Sequence, residues 1–204
     1  AYVSLLRREY ALLRIKYELQ PIPATAWRYL RLRPNSFPTI RIAQLAAMLH
    51  RTGQLFGKAL VAADHREMIN MFEVELSNYW RTHYRFGKEA TAGKRRLGIA
   101  TVRSILINTI APALQAYGTY RMDERFGQRA AALLKALPPE DNKIIRRWAA
   151  LGVDADTAAE SQALLELKTS YCEPTRCTEC ALGCHLLAQG YESGGGPLLT
   201  LNAG

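Results

Sequence analysis

The sequence predicts an all-α fold: an irregular multi-helix domain of about eight or nine helices with a Cys-rich C-terminal loop. Three observations carry that prediction. Apolar residues recur at spacings of three and four along most of the chain; Pro, Gly and Asp stand where such runs should start and stop; and no stretch alternates apolar with polar residues convincingly enough to compete as a strand. With 49% hydrophobic residues in 204, the chain can bury a core of its own, which excludes disorder throughout.

Taken in order, Val3, Leu6, Tyr10, Leu13 and Tyr17 alternate spacings of three and four, with Arg7, Arg8, Arg14 and Lys16 between them, and predict an amphipathic helix that ends before Pro21 and Pro23. A Pro- and Arg-rich connection runs from Trp27 to Pro38. Pro38 suits the first turn of a helix carrying Ile42, Leu45, Met48 and Leu49, and Gly53 should end it. Asp64 followed by Glu67 resembles a capping box for a helix through Met68, Met71, Phe72 and Leu76. From Tyr79 to Arg96 the pattern breaks into a helix end and an exposed basic loop with Gly87, Gly93 and the run Lys94-Arg95-Arg96. Helix resumes near Gly98 with Val102, Ile105, Leu106 and Ile110, and Pro112 should kink or divide it before Gly118. Further helices are expected over Asp123 to Leu137, from Pro139 to Leu151 with a stop at Gly152, and from a cap at Asp156 to Tyr171. No internal repeat of solenoid length is found.

We read residues 1–189 as one helical domain and 190–204, with its Ser-Gly-Gly-Gly-Pro stretch, as a flexible tail. The charge is divided unevenly. Residues 1–118 hold 18 Lys and Arg against 7 Asp and Glu, a net +11, whereas 119–204 hold 9 against 11. A basic half points first to polyanions and hence to nucleic acid, the plain alternative being a solvated surface that keeps the protein in solution. The longest apolar runs, Ile42–Leu49 and Ile105–Leu114, are too short to cross a bilayer, so no membrane partner is expected. The chain opens on Ala1 without a leader pattern and reads as a piece of something longer. Four cysteines confined to positions 172–184 do not resemble a secreted disulfide framework and favour a reducing, cytoplasmic setting.

Three constellations carry chemistry. Cys172, Cys177, Cys180 and Cys184, followed by His185, gather soft ligands into thirteen residues. Such spacing leans towards an iron–sulfur cluster, since two thiolate pairs so close in sequence close with difficulty around a small tetrahedral ion; zinc, with Cys184 or His185 as fourth group, stands close behind, and thiols without metal are the bland alternative. In Tyr79-Trp80-Arg81-Thr82-His83-Tyr84-Arg85-Phe86-Gly87-Lys88, ahead of Lys94-Arg95-Arg96, aromatic faces can stack on bases while Arg81, Arg85, Lys88, Lys94, Arg95 and Arg96 meet phosphates. The competing reading puts Trp80, Tyr84 and Phe86 in the core with the charges outward. Lastly, Arg31, Arg33 and Arg41 flank the expected start of a helix, where free N–H groups and the dipole favour an anion; an internal Asp or Glu partner for them is as reasonable. No phosphate loop, His-Glu-x-x-His, Gly-x-Ser-x-Gly or catalytic triad spacing is present, so no catalytic residue is assigned.

The strings RLRPNSFPTIRIAQLAAML, YWRTHYRFGK, LINTIAPALQAYG and SQALLELKTSYCEPTRCTEC together resemble one family, the uncharacterised bacterial domain-of-unknown-function 2851 group, over the chain up to Leu187. The resemblance implies that this chain is the C-terminal helical part of proteins of about double the length, whose preceding segment is similar to restriction-endonuclease-like nuclease cores and would hold any catalytic carboxylates. It further implies that the family's cysteine motif fixes the positions of Cys172, Cys177 and Cys180 and leaves that of Cys184 variable. The cluster is also similar to a compressed form of the iron–sulfur loop of helical DNA glycosylases. The expectation is therefore a nucleic-acid-associated helical module of a larger, nuclease-like bacterial protein, with nucleic acid and the N-terminal remainder as partners. The alternative is a structural or protein-interaction domain whose arginines pair internally and whose cysteines staple its C-terminal end.

Overall fold

A computed structural model describes residues 1–192; positions 193–204, most of the expected tail, lie outside the described residues. Helices dominate, as the periodicity predicts. The chain separates into two compact units, Ala1–Ala130 and a second that begins at Ala131, where the sequence suggested one domain with a change of charge.

In the first unit, α1 (Tyr2–Tyr17) ends before the prolines because Glu18 turns left-handed, at φ 52, and its N–H and that of Leu19 both reach the Arg14 carbonyl. None of its residues is buried, and Leu6, Tyr10 and Leu13 remain exposed. α2 (Pro38–Thr52) starts on Pro38 and stops at Gly53, as expected. Its buried line, however, is Ile40, Gln44, Met48 and Thr52, while Ile42, Leu45 and Leu49 stay about half exposed. The helix is rotated to bring Gln44 to its hydrogen-bond partners. After α3 (Leu55–Val61), Asp64 caps α4 (His65–Asn70): its carboxylate accepts from the N–H groups of Arg66 and Glu67 at 2.9 and 2.8 Å, and Glu67 accepts from the Ala63 N–H at 2.7 Å. α4 ends earlier than expected, leaving Phe72 and Val74 buried in the turn that follows.

α5 (Asn78–Arg81) leads into a short antiparallel hairpin, β1 (His83–Arg85) and β2 (Lys88–Glu89), in the segment the sequence assigned to a loop. α6 (Ile99–Ile105), a π segment (Leu106–Ile110) and α7 (Ala111–Arg121) form one continuous helix, so Pro112 does not divide it. The wider π turn, closed by the Ala111 N–H on the Leu106 carbonyl, makes room where proline would crowd the preceding turn. At 23 residues and mean hydropathy 1.2 this helix is long and apolar enough to cross a membrane, which the interrupted apolar run did not suggest. Val102, Leu106, Ile107, Ile110 and Leu114 are buried within the protein, and about a third of the helix's most apolar stretch is buried in all. Each such buried aliphatic side chain contributes about 1.5–3 kcal/mol. α8 (Glu124–Ala136) spans the boundary of the units, and Arg129 donates to the carbonyls of Ala59, Leu60 and Ala62 at the C-terminus of α3.

In the second unit, α9 (Lys143–Ala150) begins after Asn142, which accepts from the N–H groups of Ile144 and Ile145, and not at Pro139; the Glu140 N–H is held instead by the buried Ser161 hydroxyl at 3.2 Å. Thr157, one residue past the expected Asp156, caps α10 (Ala158–Leu167) in a capping box with Glu160. A π segment (Lys168–Cys172), a 3-10 turn (Cys177–Glu179) and α11 (Ala181–Glu192) follow.

Candidate nucleic-acid interface and the cysteine segment

Local packing fixes the hairpin. Trp80 is buried and donates its indole N–H to the Tyr2 hydroxyl at 3.0 Å. The Tyr79 ring stacks on Tyr2 at 4.6 Å and on His83 at 3.9 Å, and its hydroxyl accepts from the Gly87 N–H at 2.9 Å. Gly87 takes φ 69, which glycine adopts without cost, so that two residues, Phe86 and Gly87, turn the chain between Arg85 and Lys88. The Thr39 hydroxyl donates to the Tyr84 carbonyl and ties β1 to the first turn of α2.

Around this junction the arginines meet aromatic faces. The Arg85 guanidinium lies 4.0 Å from the Tyr29 ring centroid and 4.8 Å from that of Phe37, the residue preceding α2. Arg95 lies 3.8 Å from the centroid of Tyr84, whose ring in turn meets Phe37 edge-on. Arg95 is 7% exposed, against the expectation that all of Lys94-Arg95-Arg96 is solvated; it donates to the Thr91 carbonyl at 2.6 Å. Gln44 donates to the Arg95 carbonyl at 2.8 Å and accepts from Arg41 at 3.1 Å. The Nε atoms of Arg85 and Arg95 are buried without a hydrogen-bond partner among the described residues.

The structure thus brings Arg85 and Arg95 into one aromatic cluster at the start of α2, with Arg41 joined to it through Gln44. Arg81, Lys94 and Arg96 surround Glu75: Arg96 pairs with it at 2.5 Å, and that hydrogen bond and charge, with weaker help from Lys94 and Arg81, hold its carboxyl below the usual range. Arg31, at φ 62, and Arg33 are exposed on the connection before α2, and Lys88 is exposed across the turn from Arg85. The sequence reading missed the roles of Gln44 and Tyr29. The competing reading grouped Phe86 with Trp80 and Tyr84 in the core, whereas Phe86 is 49% exposed; Trp80 is buried and Tyr84 half-buried. An Arg-Phe-Gly-Lys turn was the available signal, but its strands are too short for alternation to register.

In the second unit all four cysteines are free thiols, with Cys180 buried, Cys172 half-buried, and Cys177 and Cys184 exposed. The π segment that ends on Cys172 packs against the 3-10 turn that opens on Cys177. Burial chiefly, and then the neighbouring Cys180 and Cys177 thiols, push the Cys172 thiol up. Cys184 donates its thiol to the Thr178 carbonyl at 3.0 Å, and His185 lies 3.0 Å from the Gln189 amide. Among the described residues no three Cys, His, Asp or Glu side chains stand close enough to hold a metal ion as placed. The turn presses on α11 so closely that a Cβ on Gly183 would sit 2.3 Å from the Cys177 carbonyl oxygen.

A hollow of about 370 Å³ beside Arg51, Lys58 and Glu67 gives no catalytic arrangement: Arg51 is turned onto the carbonyls of Glu73 and Asn70, and Glu67 is engaged with the Ala63 N–H. No curated protein and no solved structure matches the chain. A family model described as protein of unknown function (DUF2851) matches residues 1–143, short of the Leu187 that the resemblance suggested and ending before the cysteines. That match takes in the whole first unit with its hairpin and aromatic–arginine cluster, and on it the chain belongs to the DUF2851 family.

Proposed function

We propose that the first unit is a nucleic-acid-binding module whose hairpin, with the connection before α2, presents cations to phosphates. One observation carries this reading. Of Arg31, Arg33, Arg41, Arg81, Arg85, Lys88, Lys94, Arg95 and Arg96, Arg96 alone forms an ion pair among the described residues. The rival reading, with arginines satisfied internally by carboxylates, needs acids that the unit lacks: residues 1–130 hold 21 Lys and Arg against 9 Asp and Glu. Arg85, half-buried, is pre-set on aromatic faces, so less side-chain freedom is lost when a polyanion docks, while the buried Arg95 supports Tyr84 from within. That the module serves a longer, nuclease-like bacterial protein rests on the resemblance of the quoted strings, and a cytoplasmic setting on the confinement of the four cysteines to positions 172–184.

Fluorescence anisotropy with labelled DNA and RNA fragments tests the reading. Binding is expected at 50 mM salt, and about six phosphate contacts would weaken it roughly a thousandfold by 200 mM. Replacing Arg31, Arg33 or Lys88 by alanine should weaken all sequences alike and flatten the salt slope by about one for each phosphate no longer neutralised. Absence of binding at low salt overturns the reading and favours an interaction domain. For the second unit we retain a metal at Cys172, Cys177 and Cys180 as a proposal, supported by the packing of their segments. Elemental analysis and a visible absorption spectrum of anaerobically purified protein decide between iron–sulfur, zinc and bare thiols.

A further inference from the structure

We propose that Phe86 is a base-stacking platform and that the surface around it takes single-stranded nucleic acid in preference to duplex; this rests on the nucleic-acid reading above. Phe86 occupies the apex of the hairpin and is 49% exposed. Nothing in the turn demands an aromatic residue there, since the conformational requirement falls on Gly87. The ring is supported from within: Trp80 lies 5.1 Å away, tilted by 58°, and Tyr79 at 6.2 Å.

Its position is set before any ligand arrives. The Gly87 N–H is held by the Tyr79 hydroxyl, the Tyr84 carbonyl by Thr39, and Arg85 by the faces of Tyr29 and Phe37. A platform fixed by folding costs little ordering on binding. The charges near it are also suitable: Lys88 and Arg81 are exposed close by in the chain, and the hairpin's acidic residue, Glu89, faces His83 in the register. A cationic groove with an exposed aromatic face is the arrangement by which proteins hold unpaired strands, because every base has a π face and phosphates follow at regular intervals. In an intact duplex those faces are already stacked on one another, so the ring gains nothing there and only the cations act.

The test measures anisotropy of a fluorescein-labelled thymidine oligomer of about 12 nucleotides, a length within the site sizes of single-strand binders. It is compared with the same strand annealed to its complement, using the whole 204-residue chain. The single strand should bind more tightly. Phe86→Ala should weaken the single strand roughly 5- to 150-fold and leave the duplex nearly unchanged. Phe86→Tyr should keep wild-type affinity, and Phe86→Leu, of similar bulk but without a π face, should behave as the alanine variant. If alanine at the apex disturbs folding, judged by circular dichroism, the Leu and Tyr variants carry the comparison. Wild-type affinity in Phe86→Leu, or equal losses on both ligands, overturns the platform while leaving the wider reading in place. Failure of both ligands to bind at low salt removes the wider reading itself.

Discussion

Gln44 is 2% exposed in α2, yet both ends of its amide are engaged, one by the Arg95 carbonyl and the other by Arg41. Gln44→Leu should cost about 1–3 kcal/mol in urea unfolding, since it leaves a backbone acceptor unsatisfied; a change within 0.5 kcal/mol, about the size of ordinary surface substitutions, would show the bridge to be dispensable. Gly183 depends on space alone. Because a Cβ would meet the backbone oxygen of Cys177 and not a side chain that can swing aside, Gly183→Ala should displace the 3-10 turn, at about 1–3 kcal/mol, and expose the buried Cys180 thiol. Faster modification of Cys180 by a thiol reagent would register it; an unchanged rate would count against the close packing. Pro38, Gly53 and Gly152 were legible in the sequence because backbone rules act locally. The burial of Arg95 was not, since it depends on Tyr84 and Gln44, brought to it by the fold, and a run of three cations offers no periodic cue.

Helices whose apolar runs are long and whose caps are unambiguous, α1, α2 and α8, were legible to within a residue or two. α9 starts a few residues later than Pro139 suggested because Asn142 supplies a cap that proline cannot, and at α10 Thr157 caps in place of the adjacent Asp156. Thr157→Ala should accordingly cost about 1 kcal/mol and loosen the first turn of α10 in hydrogen exchange. The hairpin escaped notice because its register is set by Tyr79 and Thr39 from outside its own strands. Element ends also govern the response to acid. The Glu67 N–H chiefly lowers the Asp64 carboxyl, and Arg125 and Arg96 do the same for Asp123 and Glu75. Folded values below the ordinary ones mean that these contributions are complete above the unfolded range and fade as pH falls through the lowered folded values. Unfolding free energy should therefore decline below about pH 4. Asp64→Asn should flatten that slope; an identical acid profile in the variant would remove Asp64 from the explanation.

At the scale of the whole chain, the two units differ in charge, with residues 1–130 at a net +12 and the remainder at −3, whereas the sequence reading drew its charge step after residue 118 within one domain. Composition made that asymmetry legible, while the boundary itself falls inside α8, where no Pro, Gly or linker marks it. The candidate interface was legible as a set of residue types and illegible as an arrangement, because the partners of Arg85 and Arg95 lie far off in sequence. The π segment at Leu106–Ile110 carries a different kind of consequence. A π turn is a helix that has taken in one residue too many, and each residue of helix sweeps about 100°. Deleting a single position there should restore a regular ladder. Because the wide turn closes with that extra residue inside it, the deletion should leave α6 and α7 in nearly the same rotational phase, with Val102 and Leu114 still facing the interior. A one-residue deletion in this stretch should thus lower the melting temperature less than the same deletion inside α6, where no wide turn absorbs it and one flank must rotate by about 100°. Among relatives aligned by sequence, a one-residue gap in this stretch would then mark a regular helix around the same core, not a repacked one.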